Sequence, residues 1–332
     1  RLAVVTIGSC AFITSYSAAS CVTILALVGL LYTMLRGEGY KERFTLGLLT
    51  TSGSLGLLFP PSQDILIYGI LAGVGIEKMF LAGIVPGTLL MIILAIYSMA
   101  YGTKSHVIKH EFELNALLAS IKGCIWDLLL PVGVVIGIFG GFVSIMEAAA
   151  ATAAYVITVE VFIYREIDLR TQFFDLLVES CVLFGSLLAI LLVALGLTNL
   201  MIDAQLPMKL LAVIESHITS PLEFLLLLNL FLLLVGAMMD IFSAIIVVVP
   251  LILPLATRYG IDPIHLGIIF LANLEIGYST PPVGINLFIA SQRFGKTIVT
   301  LFKSTLPFLL LMLIWLMMVT YIPELSLWWK HE

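Results

Sequence analysis

Long apolar stretches alternate with short polar breaks along this chain. Segments 79–101, 175–197 and 304–322 are uninterrupted apolar runs, and a helix needs about 20 apolar residues to cross the hydrocarbon core of a membrane. They therefore predict ordinary transmembrane helices. Non-helical backbone at membrane depth is tolerated only where protein or a wet cavity surrounds it, so an interrupted run predicts an internal site. Four apolar segments are interrupted in this way by Gly, Ser, Thr or paired Pro: 2–35, 44–72, 221–257 and 263–292.

The breaks recur at a fixed spacing. In each half of the chain an interrupted apolar hairpin precedes a glycine turn, and a helix broken at a double proline follows it. Corresponding broken helices in two halves indicate the binding site of a secondary transporter. The matching residues, each pair 221 positions apart, are Gly39 and Gly260, Gly56 and Gly277, Pro60 and Pro281, and Pro61 and Pro282.

The distribution of basic residues predicts how these segments cross a membrane. We take 2–35 and 221–257 as re-entrant hairpins and 44–72 and 263–292 as broken spans. Segments 128–143 and 147–163 are then short passes, and 112–127 and 166–174 are amphipathic helices at the interface. Twelve Lys and Arg residues fall on one side and four on the other, which makes the first side cytoplasmic. The two hairpins enter from opposite sides, so the predicted fold is an all-α polytopic membrane protein with inverted repeats.

Composition supports a membrane protein and excludes several other classes. Of the 332 residues, 61% are hydrophobic and 11% are charged, whereas soluble domains are about 25% charged. The net charge is −5 and the basic residues are scattered, which excludes a nucleic-acid-binding surface. The four cysteines are far apart and form no C-x-x-C pair, so neither a disulfide framework nor a zinc site is indicated. The chain opens at Arg1, and we expect that an N-terminal part is missing.

Each pair of breaks has the groups that a hard cation prefers. Helix breaks expose backbone carbonyl groups, which together with hydroxyl groups suit sodium. We therefore predict two sodium sites, although a lone Ser or Gly in a membrane helix is more often a packing contact. In the first site Ser17 and Ser20 of the hairpin face Ser52, Gly53, Ser54 and Gly56, and in the second Asp240 and Ser243 face Gly277, Thr280 and Gly284.

Acidic residues at membrane depth are functional candidates. Asp240, inside the second hairpin break, is the strongest of them, and Asp64 and Glu275 are plausible neighbours of the site. Glu147 follows a glycine-rich turn, and we favour a structural role for it as an acid at a helix start, where the helix dipole stabilises negative charge.

Enzyme activity is not indicated. Residues 52–56 nearly match the G-x-S-x-G motif of hydrolases, but the first position is Ser52 and no histidine is placed as a base. The G-x-x-x-x-G-K-[ST] phosphate-binding loop is absent from the sequence. Transport must then run on an ion gradient or on another subunit, and no cofactor beyond coupling sodium ions is expected.

Two proline motifs carry a family resemblance. The stretch Ser54–Ser62 (SLGLLFPPS) followed by Ile67–Gly69, and the stretch Gly277–Phe288 (GYSTPPVGINLF), are similar to the large membrane subunit of tripartite ATP-independent periplasmic (TRAP) transporters. Residues 260–265 and Met239–Asp240 with Ser243 fit the same family. The resemblance covers essentially the whole chain.

The resemblance implies an elevator-type, sodium-coupled importer of organic acids, with a fold similar to the divalent anion/sodium symporters. It also implies two partners in a bacterial inner membrane system: a small membrane subunit and a periplasmic substrate-binding protein. Family roles carry over to Ser17, Ser20, Ser62 and Asp240, and with Asp64 and Asn286 these form the predicted substrate site. The chain departs from the family at Gln63–Asp64, at 143–146 and at 241–243, which makes transfer of a known substrate unsafe.

The predicted organisation has four segments. Residues 1–78 and 198–292 hold the transport elements of the two repeats, 79–197 hold scaffold and interfacial helices, and 293–332 hold the last transmembrane helix. Two alternatives stay open: a single-component sodium/dicarboxylate symporter, and a non-transporting membrane scaffold subunit. An intramembrane hydrolase that uses Ser54 is a more distant alternative.

Overall fold

A computed structural model describes residues 2–17, 20–104, 122–168, 172–204, 218 and 220–330. All regular structure in these ranges is helical, which agrees with the predicted all-α class. The α-helices are α1 (Leu2–Ser17), α2 (Ser20–Gly37), α3 (Glu42–Ser52), α4 (Gln63–Ala72), α5 (Ile76–Lys104), α6 (Ile125–Phe139), α7 (Ile145–Thr158), α8 (Phe173–Asp203), α9 (Pro221–Met238), α10 (Ile241–Arg258), α11 (Pro263–Gly277), α12 (Ile285–Phe294) and α13 (Ile298–Tyr321).

Five described helical segments are long and apolar enough to cross a membrane. They are α5, α9, α10, α13, and α7 together with the π-helix Val159–Tyr164 that continues it. Many large apolar side chains on these helices are exposed, as lipid-facing side chains are, for example Ile96, Leu230 and Ile314. These features are those of a multi-pass membrane protein. Helices α9 and α10 are each long enough to cross completely, so the re-entrant course of this hairpin stays a prediction.

The chain forms two compact units. The first comprises Arg1–Lys109 and Leu200–Glu332, and the second comprises His110–Asn199. Both predicted transport segments contribute to the first unit, whereas segment 79–197 contributes to both. The core of the first unit surrounds α11, in which every residue from Ile264 to Gly277 is buried. A mainly apolar helix that is buried on every side belongs inside a bundle, and α11 takes that central place.

The second unit contains α6 and α7, joined by a tight turn. The side chain of Ser144 accepts a hydrogen bond from the backbone N–H of Glu147, and the Glu147 carboxylate accepts one from the backbone N–H of Ser144. This reciprocal capping box pairs two otherwise free helix-start donors. It confirms the structural role predicted for Glu147.

Two predicted interfacial helices have different outcomes. Residues 166–168 are not helical and α8 begins at Phe173, so the predicted helix 166–174 is wrong over its described first part. The charged residues there produced an amphipathic pattern in what is a connection before a long helix. The other predicted helix, 112–127, lies mainly outside the described residues.

The four breaks occur where the sequence predicts them. Helix α1 ends at Ser17 and α2 begins at Ser20, while α9 ends at Met238 and α10 begins at Ile241. Helix α3 stops at Ser52 and α4 starts at Gln63, and α11 stops at Gly277 and α12 starts at Ile285. The Pro60–Pro61 and Pro281–Pro282 peptide bonds are both cis.

The turns after the two hairpins have the same hydrogen bonds. Gly39 and Gly260 have φ of 92° and 76°, a conformation that glycine adopts without steric cost. At the first turn Gly39 N–H donates to the Arg36 carbonyl and Tyr40 N–H to the Leu35 carbonyl, each over 3.1 Å. At the second turn Gly260 N–H donates to the Thr257 carbonyl and Ile261 N–H to the Ala256 carbonyl, each over 3.0 Å. These four residues are 221 positions after their counterparts in the first turn. The same helix-ending motif therefore closes both hairpins.

Helix packing crosses between the two halves of the sequence. Helix α2 of the first hairpin packs against α12, which follows the second break, and α10 of the second hairpin packs against α4, which follows the first break. The pairs α3–α13 and α5–α11 cross in the same way. Each break is therefore enclosed by helices from both halves.

Candidate functional site

The first break is a buried chain of tight turns between α3 and α4. Leu57 N–H donates to the Ser54 carbonyl over 3.1 Å, and Phe59 N–H donates to the Gly56 carbonyl over 3.0 Å. Residues 51–58 are all buried. The break therefore places carbonyl and hydroxyl oxygens inside the protein, outside the regular hydrogen bonding of an α-helix.

The first hairpin lies directly against this break. The Thr14 hydroxyl donates a hydrogen bond to the Gly53 carbonyl oxygen over 2.9 Å, and its oxygen lies 2.8 Å from the hydroxyl oxygen of Thr23. A Cβ atom at Gly56 would lie 2.2 Å from the backbone nitrogen of Ser15, closer than real Cβ contacts come. Glycine at 56 is required because the hairpin tip and the broken helix touch through their backbones.

The second break has the same close approach. A Cβ atom at Gly277 would lie 2.4 Å from the carbonyl carbon of Gly236 in the second hairpin. Gly277 and Gly236 are 221 positions after Gly56 and Ser15, so the hairpin meets the break at corresponding places in both halves.

Hydrogen bonds fix the second hairpin to its break. The backbone N–H groups of Val283 and Gly284 donate to the Ala237 carbonyl over 3.1 and 3.2 Å. Ile241 N–H donates to the hydroxyl oxygen of Tyr278 over 2.7 Å. The tip of the second hairpin is therefore held from two directions.

Asp240 begins α10 and caps it. Its Oδ2 atom accepts a hydrogen bond from Ser243 N–H over 3.0 Å, the usual arrangement of an N-cap aspartate. This bond occupies one oxygen through a backbone donor. Among the described residues, this is the hydrogen bond that the structure gives for the Asp240 side chain, and it leaves the carboxylate its negative charge.

Buried polar atoms without partners concentrate at the two breaks. Within the described ranges, nine residues have such side-chain atoms, and seven of the nine belong to the broken helices. A buried polar group without a hydrogen bond is costly and rare, so each one requires an explanation. The seven are Ser52, Ser62 and Asp64 in the first half and Asn273, Glu275, Ser279 and Asn286 in the second. A ligand bound at the breaks would give that explanation.

Glu275 is the most demanding of these groups. It is fully buried, and neither carboxylate oxygen has a hydrogen-bond partner in the described part of the chain. The two described ion pairs involve other acids, Glu42 and Asp262. A buried carboxylate without a cation is strongly disfavoured, so the position suits a bound cation.

The structure also brings acids of the two halves together. Asp64 lies in the first turn of α4, which packs against α10, the helix that Asp240 caps. Asp64 is buried, and its Oδ2 atom has no partner among the described residues. The crossed packing therefore joins the first break to the second hairpin.

The other predicted site residues lie at the breaks as well. Ser20 starts α2 with its side chain buried, and its carbonyl oxygen faces Gly53. Thr280 donates its hydroxyl hydrogen to the Ile276 carbonyl over 2.9 Å, and Gly284 begins α12 with φ of 52°. Ser17 ends α1, but its side chain lies outside the described set.

Sequence reasoning missed several polar residues of the second half. The side-chain amide of Asn273 donates to Asn229 Oδ1 over 2.7 Å, and that of Asn229 donates to the Thr320 hydroxyl over 3.1 Å. This network joins α9, α11 and α13. The repeat spacing could have found part of it, because Ser52 and Ser54 correspond to Asn273 and Glu275.

Comparison with known proteins gives the family. The family "Tripartite ATP-independent periplasmic transporter, DctM component" matches residues 1–325. The chain belongs to the DctM family of TRAP transporters. The family membership predicted from the proline motifs is confirmed. The relatives named below are transporter permeases rather than enzymes.

Several curated relatives cover nearly all of this DctM-family chain. The C4-dicarboxylate TRAP transporter large permease protein DctM of Pseudomonas aeruginosa is 35% identical over 98% of the chain and 76% of its own length. That of Vibrio cholerae is 34% identical, with 98% and 77% covered. The isethionate TRAP transporter permease protein DctMQ of Oleidesulfovibrio alaskensis is 33% identical over 98% of the chain and 52% of its own length. The chain thus spans about three quarters of the first two relatives and about half of the third.

Proposed function

We propose that this chain is the large permease of a sodium-coupled importer of organic acids in a bacterial inner membrane. The observation that carries the proposal is the concentration of buried, unpartnered polar groups at the two breaks. The relatives support the substrate class, since their names include C4-dicarboxylate, isethionate and sialic acid. We infer as partners a small membrane subunit and a periplasmic binding protein that delivers the substrate.

Two sodium sites would complete the breaks. Sodium is a hard cation that prefers oxygen ligands, as calcium and magnesium do. The first site would use Ser52, Gly53, Ser54 and Gly56 with the hairpin serines Ser17 and Ser20. The second would use Asp240, Ser243, Gly277, Thr280 and Gly284, with the Glu275 carboxylate adding negative charge nearby.

The substrate would bind between the sodium sites. Helices α4 and α12 both begin at a break, and the positive end of a helix dipole attracts an anionic group. Ser62, Asp64, Asp240 and Asn286 would line this position. The Asp64 and Asp240 carboxylates would repel an organic anion, so sodium has to bind first and offset their charge.

Transport would follow an elevator mechanism. The hairpin and the broken helix of both inverted repeats would form one domain, and this domain would move against a fixed scaffold. The crossed packing of α2 with α12 and of α10 with α4 supports a joint movement of both hairpins. Both sodium sites would then move together with the substrate.

Uptake into proteoliposomes tests the proposal. The complete permease complex is reconstituted and radiolabelled organic acids are offered with or without a sodium gradient and the binding protein. We expect uptake that requires both. Uptake with sodium but without the binding protein would identify a single-component symporter. No uptake of any organic acid, together with no sodium binding, would leave a non-transporting scaffold subunit as the better description.

The variant Asp240→Asn tests the second sodium site. Asparagine is as good an N-cap as aspartate, so the variant keeps α10 capped while it removes the charge. We expect the sodium concentration for half-maximal uptake to rise about tenfold or more, corresponding to about 1.4 kcal/mol or more of binding free energy. An unchanged melting temperature is the control for folding. An unchanged sodium response would refute the assignment.

A further inference from the structure

A cavity of about 260 Å³ opens between the first turns of α3 and α13. Its lining includes three basic residues, Arg43, Lys296 and Lys303, and one acid, Glu42. Its floor is a tight helix crossing, where a Cβ atom at Gly47 would lie 2.1 Å from the Ser304 carbonyl oxygen. The lining is therefore strongly charged, and neither the proposed sodium sites nor the proposed substrate site includes these residues.

The charges in this cavity do not cancel. Lys296 Nζ is 2.7 Å from Glu42 Oε1, and the hydrogen bond to this carboxylate raises the pKa of Lys296, so the lysine stays protonated. Arg43 donates from Nη2 and Nε to the Lys303 carbonyl over 2.8 and 3.3 Å, which orients its guanidinium group without neutralising it. Among the described residues no acid pairs with Lys303. Two positive charges therefore remain in excess, beside two helix N-termini that also favour an anion.

An exposed apolar stripe continues from the cavity along α13. Leu306, Leu310 and Ile314 follow Lys303 at helical spacings of three, seven and eleven residues, so they lie on the same face as the lysine. Their side chains are 43%, 56% and 58% exposed. From Lys303 to Ile314 the stripe is roughly 16 Å long at 1.5 Å per residue, about half the thickness of a hydrocarbon core. This length matches one leaflet.

We propose that the cavity binds the phosphate-bearing headgroup of an anionic phospholipid, with an acyl chain along Leu306, Leu310 and Ile314. Arginine and lysine bind phosphate oxygens through charge-assisted hydrogen bonds. A free phosphate has the same headgroup chemistry but would not contact the apolar stripe. The stripe therefore favours a lipid over free phosphate. Basic pockets between membrane helices are typical lipid-headgroup sites. The lipid would join α3, the first half of a broken helix, to α13, and this role is independent of the proposed sodium coupling.

Thermal stabilisation of the purified permease tests the source of the ligand. The probes are dioctanoyl-phosphatidylglycerol, dioctanoyl-phosphatidylcholine and inorganic phosphate, each titrated in detergent. We expect phosphatidylglycerol to bind at least tenfold more tightly than either of the others. Equal stabilisation by phosphatidylcholine would refute a headgroup site, and equal affinity for inorganic phosphate would identify a free-phosphate site instead.

Charge-removing variants test the location. The double variant Arg43→Gln/Lys303→Gln should weaken phosphatidylglycerol binding at least tenfold. The matched control Lys78→Gln/Lys122→Gln removes two exposed positive charges elsewhere and should leave the affinity unchanged. Equal loss in both variants, or no loss in the first, would overturn the proposal. The wild-type titrations decide independently if the first variant folds poorly.

Discussion

The two broken helices share a backbone course but differ in chemistry. Both follow a turn with the same hydrogen bonds, and both meet their hairpin at a glycine, Gly56 or Gly277, where a Cβ atom would overlap backbone atoms. Yet Ser52 and Ser54 before the first break correspond to Asn273 and Glu275 before the second. The first break has hydroxyl groups where the second has an amide and a carboxylate.

This difference separates the residues that determine the backbone of a break from those that determine its polar chemistry. Glycine and proline determine the course of the backbone, and they are retained at the repeat spacing. The polar side chains change between the halves while the frame remains. If both breaks bind sodium as proposed, the second should hold it more tightly at equal solvent exposure, because the Glu275 carboxylate adds a negative charge where the first break has the Ser54 hydroxyl.

The largest effect is expected from Gly56→Ala and Gly277→Ala. In both, the new methyl group would overlap backbone atoms that cannot move away cheaply. Overpacking of this kind costs about 1–3 kcal/mol, occasionally more. The measurement is the melting temperature of each purified variant, and the shared frame predicts losses of similar size.

Gly133→Ala is the control for these variants. Gly133 lies in α6 with nothing within 4 Å of a Cβ atom, so alanine there should stabilise the helix by roughly 0.5–1 kcal/mol. A loss at Gly56 with none at Gly277 would show that the two close contacts are not equivalent.

A smaller effect is expected when single hydrogen bonds at the breaks are removed. Thr14→Val takes away the hydroxyl group that contacts Gly53 and Thr23, and Tyr278→Phe leaves the buried Ile241 N–H without its acceptor. Each should cost about 1–2 kcal/mol. We expect the smaller loss for Tyr278→Phe, because the Ala237 carbonyl still binds the second break through two backbone bonds. Thermal unfolding measures both, and the reverse order would mean that these backbone bonds contribute little.

The smallest effect concerns the starts of the two broken helices. Asp262 caps α11 and pairs with Lys330, whereas Lys41 at the corresponding position before α3 makes no side-chain cap. Burial raises the pKa of Asp262, but the hydrogen bonds from Lys330 and from Ile264 N–H outweigh it and hold this pKa below its ordinary value. The stability from this group is therefore present at neutral pH and is lost as the pH falls below about 4.

Melting temperatures between pH 7 and pH 3 measure this loss. An ion pair at the surface contributes at most about 1 kcal/mol. The variant Asp262→Asn keeps a capping side chain and should remove this part of the acid sensitivity. The same acid sensitivity in the variant would assign it to other carboxylates.

The sequence predicts the breaks well because their causes are local. Gly, Pro and Ser interrupt a helix wherever they occur together, so the ends of α3, α9 and α11 lie within the predicted segments. The partners of polar groups depend instead on distant residues. Nothing near Asp64 in the sequence indicates that its helix, α4, packs on α10, the helix that Asp240 caps. For the same reason the repeat spacing could point to Asn273, but its hydrogen bonds to Asn229 and on to Thr320 are visible only in the fold.

The crossed packing of the hairpins has a consequence for biosynthesis. Helices α1–α4 are synthesised before α10 and α12, on which α4 and α2 pack in addition to their neighbours in the first half. The early helices must therefore wait in the lipid, or beside an insertion factor, with the polar groups of residues 52–64 unshielded. Assembly can finish only after the second hairpin and its broken helix have been synthesised. Truncation before α12 would consequently leave α2 without its contact to the second half, although its contacts with α1 and α3 would remain, and we expect membrane quality control to degrade such products.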